Sequence, residues 1–158
     1  MDSCIACDLV GGRLPLPGGQ IHHSGGWVVE HCVGPLGLGT LIVKPKRHVT
    51  AVADLTEGEA RNLGPLLRLA SEVAGQLVDA EQVYNCLWSH AGGVPGHLHY
   101  VIQPVTRQQT AEFESYGPDL QAAMFAAGQM PDPKQVEAVA QKARDLFAAA
   151  TSSSRKAV

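Results

Sequence analysis

Apolar and polar residues alternate between positions 97 and 103. His97, His99, Val101 and Gln103 fall on one side of an extended segment, and Leu98, Tyr100 and Ile102 on the other. The second set is apolar and suits a core. The first sets two imidazoles side by side, roughly 7 Å apart at the rise of a strand. A glycine-rich approach, Ala91-Gly92-Gly93-Val94-Pro95-Gly96, leads into this strand, and Pro104 closes it. One buried face, one imidazole-bearing face and a flexible approach suit a binding site.

The same reading places the other elements. Gln20–Ser24 is a short strand, Gly25-Gly26 a turn and Trp27–Val33 a second strand, so residues 20–33 form a hairpin. Residues 11–19 and 34–39 are loops by their glycine and proline content. The β-branched run Thr40–Pro45 is a strand, with His48 at its exit. Leu63, Leu66, Leu67, Ala70, Val73, Ala74 and Leu77 recur at helical spacing and predict the main helix over residues 57–79. Thr56 and Glu59 supply a capping-box pattern at its start, and Pro65 is expected to kink or delay it. Gln82–Ser89 reads as a strand that turns back into the 97–103 segment as its antiparallel partner. Residues 107–130 are weakly helical, Pro131-Asp132-Pro133 is a break, and Lys134–Ala150 is the last helix. The expected organisation is one domain over residues 1–107, a helical extension over 108–150 packed on it, and a flexible polar tail over 151–158.

Composition narrows the chemistry. At 158 residues and 45% apolar content the chain can build one core. A net charge of -3 argues against a basic nucleic-acid surface. No apolar run reaches the roughly 18 residues of a membrane span. No charged segment followed by an apolar one opens the sequence, so no signal peptide is read and a cytoplasmic location is expected. In such a reducing compartment Cys4-x-x-Cys7 reads as metal-binding or redox-active rather than as a disulfide. The redox reading wants a preceding strand, which this sequence does not offer. Tetrahedral zinc takes four nitrogen or sulfur ligands. Cys4 and Cys7 supply two, and His22, His23, His31, His48, His90, His97 and His99 are the candidates for the others. Spacing alone does not choose among them. Trp27 and Trp88 are assigned to the core.

Pro45-Lys46-Arg47-His48 after Thr40-Leu41-Ile42-Val43, then a capped helix, then His97-Leu98-His99-Tyr100-Val101-Ile102-Gln103-Pro104, resembles the histidine-triad (HIT) superfamily of nucleotide hydrolases and transferases. Cys4-Ile5-Ala6-Cys7-Asp8 is similar to the opening of its zinc-bearing members. The resemblance covers residues 4–107. It implies an α+β fold, an antiparallel sheet of about five strands with one long helix packed on it, and pairing as a homodimer. It implies that His99 is the nucleophile, attacking the α-phosphate of a nucleotide ester or anhydride, such as a dinucleoside polyphosphate, to give a nucleotidyl-histidine intermediate. It implies a structural Zn²⁺ on Cys4, Cys7, His48 and His97. The chemistry is consistent with this. A neutral imidazole is a good nucleophile if its far nitrogen donates to a fixed acceptor. Gly92, Gly93 and Gly96 could bring backbone N–H groups to phosphate oxygens, although a simple tight turn would need the same glycines.

The departures from the family pattern are local. Val101 stands where hydrolases carry a third His and transferases often carry Gln, and it offers no hydrogen bond. Gly93-Val94 replaces a Gln-Ser or Gln-Asn pair. The acidic residue that holds the ribose has no clear match near residues 31–32, where His31 or Glu30 would stand in. Gln103 shares the His face one strand repeat further on, and His90 is a candidate phosphate contact or general acid. The resemblance therefore implies a HIT-type hydrolase or nucleotidyltransferase. Its alternative is a catalytically weak nucleotide-binding or sensor protein with structural zinc.

Overall fold

Alternation of the predicted kind builds one antiparallel sheet. The computed structural model describes residues 4–91 and 93–155. Strands β1 (Gln20–Ser24), β2 (Trp27–His31), β3 (Leu41–Pro45), β4 (Gln82–Ala91) and β5 (Val94–Val105) lie in the order β1-β2-β3-β5-β4. Ile42 faces Glu30 on one side and Val101 on the other, and Trp88 faces His99. Side chains directly opposite one another share a face. Glu30, Ile42, Lys44, His99, Val101, Cys86 and Trp88 therefore line a single face.

The other face carries the main core. Helix α2 (Glu57–Leu77) and helix α5 (Pro133–Arg155) pack there, and Trp27, Val29, Leu41, Val43, Leu98 and Ile102 meet Leu66, Ala70, Val73, Ala140, Ala143 and Phe147. Trp27 is fully buried and its indole N–H donates to the Glu59 carbonyl at 2.9 Å, so it is a core residue as expected. The α2 capping box forms: Thr56 Oγ1 accepts from the Glu59 amide and Glu59 accepts from the Thr56 amide. Pro65 neither delays nor divides the helix; it lies inside a continuous 21-residue α2.

Two short helices follow the sheet. Helix α3 (Arg107–Phe113) and helix α4 (Gly117–Ala127) replace the weakly helical stretch, and α4 lies on the histidine-bearing face. Leu120 and Met124 of α4 cover Val101 and Val105 there, together with Leu36. A six-residue helix α1 (Ile5–Val10) opens the described chain. Among the described residues, no helix is long and apolar enough to cross a membrane.

Three boundaries shift. The glycine-rich approach takes the tight-turn form: Ala91 pairs with Val94 and His90 with Pro95, so the two strands run further than residues 82–89 and 97–103 and meet at the turn end of a long hairpin. Gly93 has φ 83 there, which a side chain would strain; Gly92 lies outside the described residues. Pro104 does not close β5, which runs to Val105; β3 stops pairing at Ile102, so no ladder continues on that side. The last helix runs beyond Ala150, so residues 151–155 belong to the end of α5. Thr151 and Ser152 return their hydroxyls to the Phe147 and Ala148 carbonyls, which keeps the helix satisfied. Residues 156–158 lie outside the described residues.

Candidate metal centre and active site

Cys4 caps α1 and Cys7 follows one turn later, so both sulfurs lean to one side of the helix. They face His48, just beyond β3, and His97 on β5. Leu98 ties the two strand ends together by donating its amide to the Val49 carbonyl at 2.7 Å. Cys7 Sγ lies 3.4 Å from His48 Nδ1 and 3.4 Å from His97 Nδ1, and Cys4 Sγ lies 3.7 Å from His97 Nδ1. All four donor atoms fall within 4.8 Å of one another. A tetrahedral zinc with Zn–S near 2.3 Å and Zn–N near 2.0–2.1 Å spaces its sulfur and nitrogen ligands about 3.6 Å apart. The donor set and its spacing fit zinc.

The surroundings support metal binding. His97 Nε2–H donates to the Pro45 carbonyl at 2.8 Å, which turns Nδ1 toward the cysteines. Burial holds His97 below the usual histidine range, so its ring is neutral and its lone pair free to ligate. Burial and the adjacent Cys4 thiol push Cys7 up in the metal-free cluster. A bound cation reverses that effect by favouring the thiolate. Four protein ligands would leave no position for a reacting water, so a metal held by all four would be structural.

His99 lies two residues along β5. Its Nδ1–H donates to the His97 carbonyl at 2.9 Å, so in the neutral ring the lone pair is on Nε2. His99 lines a cavity of about 150 Å³ with Ile5, Ala6 and Leu9 of α1 and with Glu30, Cys32, Val33, Ile42 and Lys44 of the sheet and its edge. Burial pushes the Cys32 thiol up to about 11, so it is a neutral wall.

Glu30 and Lys44 form an ion pair on this cavity's sheet side, through Glu30 Oε1 and Lys44 Nζ, with both side chains 2% exposed. Burial pushes the Glu30 carboxyl above the usual carboxylate range, and the Lys44 charge partly opposes that. The second carboxylate oxygen, Oε2, is buried without a partner. The pairing is invisible in sequence because it joins two strands. Its one trace is a charged residue embedded in each of two β-branched runs.

Other candidates fall elsewhere. His31 is not a substrate contact: it is buried on the opposite face, donating from Nδ1 to the Cys32 carbonyl and accepting the Gly39 amide at Nε2. Gln103 is not one either. It is 0% exposed under α4, where its amide bonds Leu36 O and its carbonyl accepts from Gln121. Val101 is buried beneath the same roof. His90 is exposed on β4 opposite Pro95 and does not line the cavity. Gly96 lies within β5 and Gly93 in the hairpin turn. Trp88, assigned to the core from sequence, is instead 44% exposed on the face of His99 and directly across from it.

A five-stranded antiparallel sheet, a long capped helix behind it, a Cys₂His₂ cluster at one end and an oriented histidine beside the cluster define the histidine-triad fold. Solved structures of that class superpose on the chain. A hypothetical histidine triad nucleotide-binding protein from Sulfolobus tokodaii is 20% identical, with a TM-score of 0.67 over 90% of this chain and 91% of that one. A zinc-bound histidine triad family protein from Mycobacterium smegmatis is 17% identical, with a TM-score of 0.67 over 96% and 97%. A Hit-like protein involved in cell-cycle regulation from Bartonella henselae is 14% identical, with a TM-score of 0.69 over 92% and 97%. No family model and no curated protein matches the sequence. At these identities the likeness is one of fold: this chain has the HIT-like α+β fold.

Proposed function

We propose that this protein binds a nucleotide and that His99 attacks its α-phosphorus. The observation that carries this is the bond from His99 Nδ1 to the His97 carbonyl, which leaves Nε2 as the free nucleophilic nitrogen of a residue lining the cavity. In the first step Nε2 forms a bond to phosphorus and the bond to the leaving oxygen breaks, that oxygen keeping the electron pair. In the second, water or another hydroxyl-bearing acceptor attacks phosphorus. The P–N bond breaks, its electrons return to Nε2, and the acceptor's proton passes to solvent. Zinc on Cys4, Cys7, His48 and His97 would supply rigidity at the root of the His99 strand. A general acid is missing at Val101, which is buried and apolar. With no acid at that position, a leaving group that needs no proton suits the site, which favours a phosphate anhydride over an alkyl ester.

Val101 also supports a second reading, a nucleotide-binding protein with little turnover. Intact-protein mass spectrometry after brief incubation with dinucleoside polyphosphates and nucleotide sugars separates the two. The enzyme reading expects a covalent nucleotidyl adduct that is absent in His99→Ala, while that variant keeps its fold and its metal. Full turnover by His99→Ala would overturn it, and non-covalent complexes alone would favour the second reading. Pairing into a homodimer belongs to the same proposal. The outer edge of β4 and the half-exposed Leu87 and Trp88 support it, and sedimentation tests it.

A further inference from the structure

The cavity beside His99 combines apolar walls with one polar edge. Ile5, Ala6, Leu9, Val33 and Ile42 supply the walls, and Glu30 and Lys44 supply the edge. Glu30 Oε1 is engaged by Lys44, while Oε2 is buried and has no partner. Lys44 Nζ carries three donors and gives one of them to Glu30. An acceptor in need of a donor thus stands beside a donor with capacity to spare.

A purely structural ion pair does not explain this arrangement. Two charges buried on a sheet face are commonly no more stabilising than well-packed apolar residues of the same volume. An unpartnered carboxylate oxygen makes the pair less favourable still. A ligand that donates to Oε2 removes that penalty only when it is bound.

We infer that Glu30 and Lys44 read the hydrogen-bonding edge of the nucleobase, with Oε2 accepting an N–H and Lys44 donating to the ring acceptor beside it. The inference rests on the nucleotide reading and deepens it by naming what selects the base. A base offers flat apolar faces to the cavity walls and a donor next to an acceptor along its edge. Its sugar and phosphate would extend toward His99. The ligand class is a nucleotide whose base carries an amino or lactam N–H, and bases without such a donor are discriminated against.

Calorimetric titration of the wild-type protein tests this with the four common ribonucleoside monophosphates and two donor-free analogues, purine riboside and pyrimidin-2-one riboside 5′-monophosphates. The nucleotide bound best is expected to bind at least about tenfold tighter than its donor-free analogue, the penalty for leaving a buried acceptor unpaired. The double variant Glu30→Leu/Lys44→Met replaces the pair with apolar residues of similar size. It is expected to fold, to bind both ligands and to lose the difference between them. Equal binding of parent and analogue by the wild type overturns the inference and leaves the nucleotide reading standing. A difference that persists in the double variant also overturns it. Wild-type protein that binds none of the six ligands overturns the nucleotide reading, and this inference with it.

Discussion

Glu59 acts at two levels from one side chain. It closes the α2 capping box and holds Arg47 in a two-point ion pair, Nε to Oε1 at 2.9 Å and Nη2 to Oε2 at 2.7 Å. Arg47 precedes His48, so this pair steadies the segment that brings His48 to the Cys4–Cys7–His97 cluster. The Arg47 guanidinium, with the Thr56 bonds, holds the Glu59 carboxyl at about 2, below the ordinary value of 4.5. Such a group stabilises the fold above its unfolded-state value, and its contribution is lost as pH falls through the folded one. Glu59→Gln is therefore expected to have a lower thermal midpoint than the wild type at neutral pH. The gap should narrow between pH 4.5 and about 2; a gap that stays constant into acid would contradict the argument. The capping box was legible in sequence because it is local. The Arg47 pair was not, because it joins the end of one strand to a helix 12 residues on. His31 and Gln103 were misread for a related reason: residue type and face parity cannot report what covers a face.

Among the elements, α2 was legible because its apolar positions recur along its whole length. The stretch after β5 was not. Glu114 with φ 45 and Gly117 with φ 57 break it into α3 and α4 and erase a continuous period. The placement of α5 against the sheet depends on a residue that periodicity ignores. Gly18 has φ 77, and a Cβ there would stand 2.5 Å from the Ala140 Cβ of α5. Its carbonyl also accepts from Arg144 at 2.7 Å. Gly18→Ala should lower unfolding stability in urea by about 1–3 kcal/mol, through overpacking and an unsuitable φ. A neutral effect would mean that the loop moves away from α5 at no cost.

Across the whole molecule, the histidine-bearing face is divided. Its Val101–Val105 half is roofed by α4, and its His97–His99 half is open to the cavity and to α1. That division was not legible in the alternation of β5, which reports the parity of a face and not what covers it. It also sets the role of α1. Six residues are too few to hold a helix in water unaided, and its two cysteines reach across to His48 and His97. None of these four residues lines the cavity, but Ile5, Ala6 and Leu9 do. Stripping the metal with a chelator is expected to lower the thermal midpoint and to weaken nucleotide binding, although no metal ligand would touch the nucleotide. Unchanged affinity in the stripped protein would show that α1 stays docked without it.

If the cluster holds zinc and the cavity a nucleotide, as proposed, one wall of the cavity is fastened by a different ligand from the one the cavity receives, and thermodynamics makes that traffic run both ways. Whatever factor the ion adds to nucleotide affinity, the nucleotide must return to ion affinity. A base resting on Ile5, Ala6 and Leu9 would act as a latch on the zinc. Release of the ion to a colorimetric chelator should then slow as nucleotide is added, which would make metal retention a gauge of how often the cavity is filled.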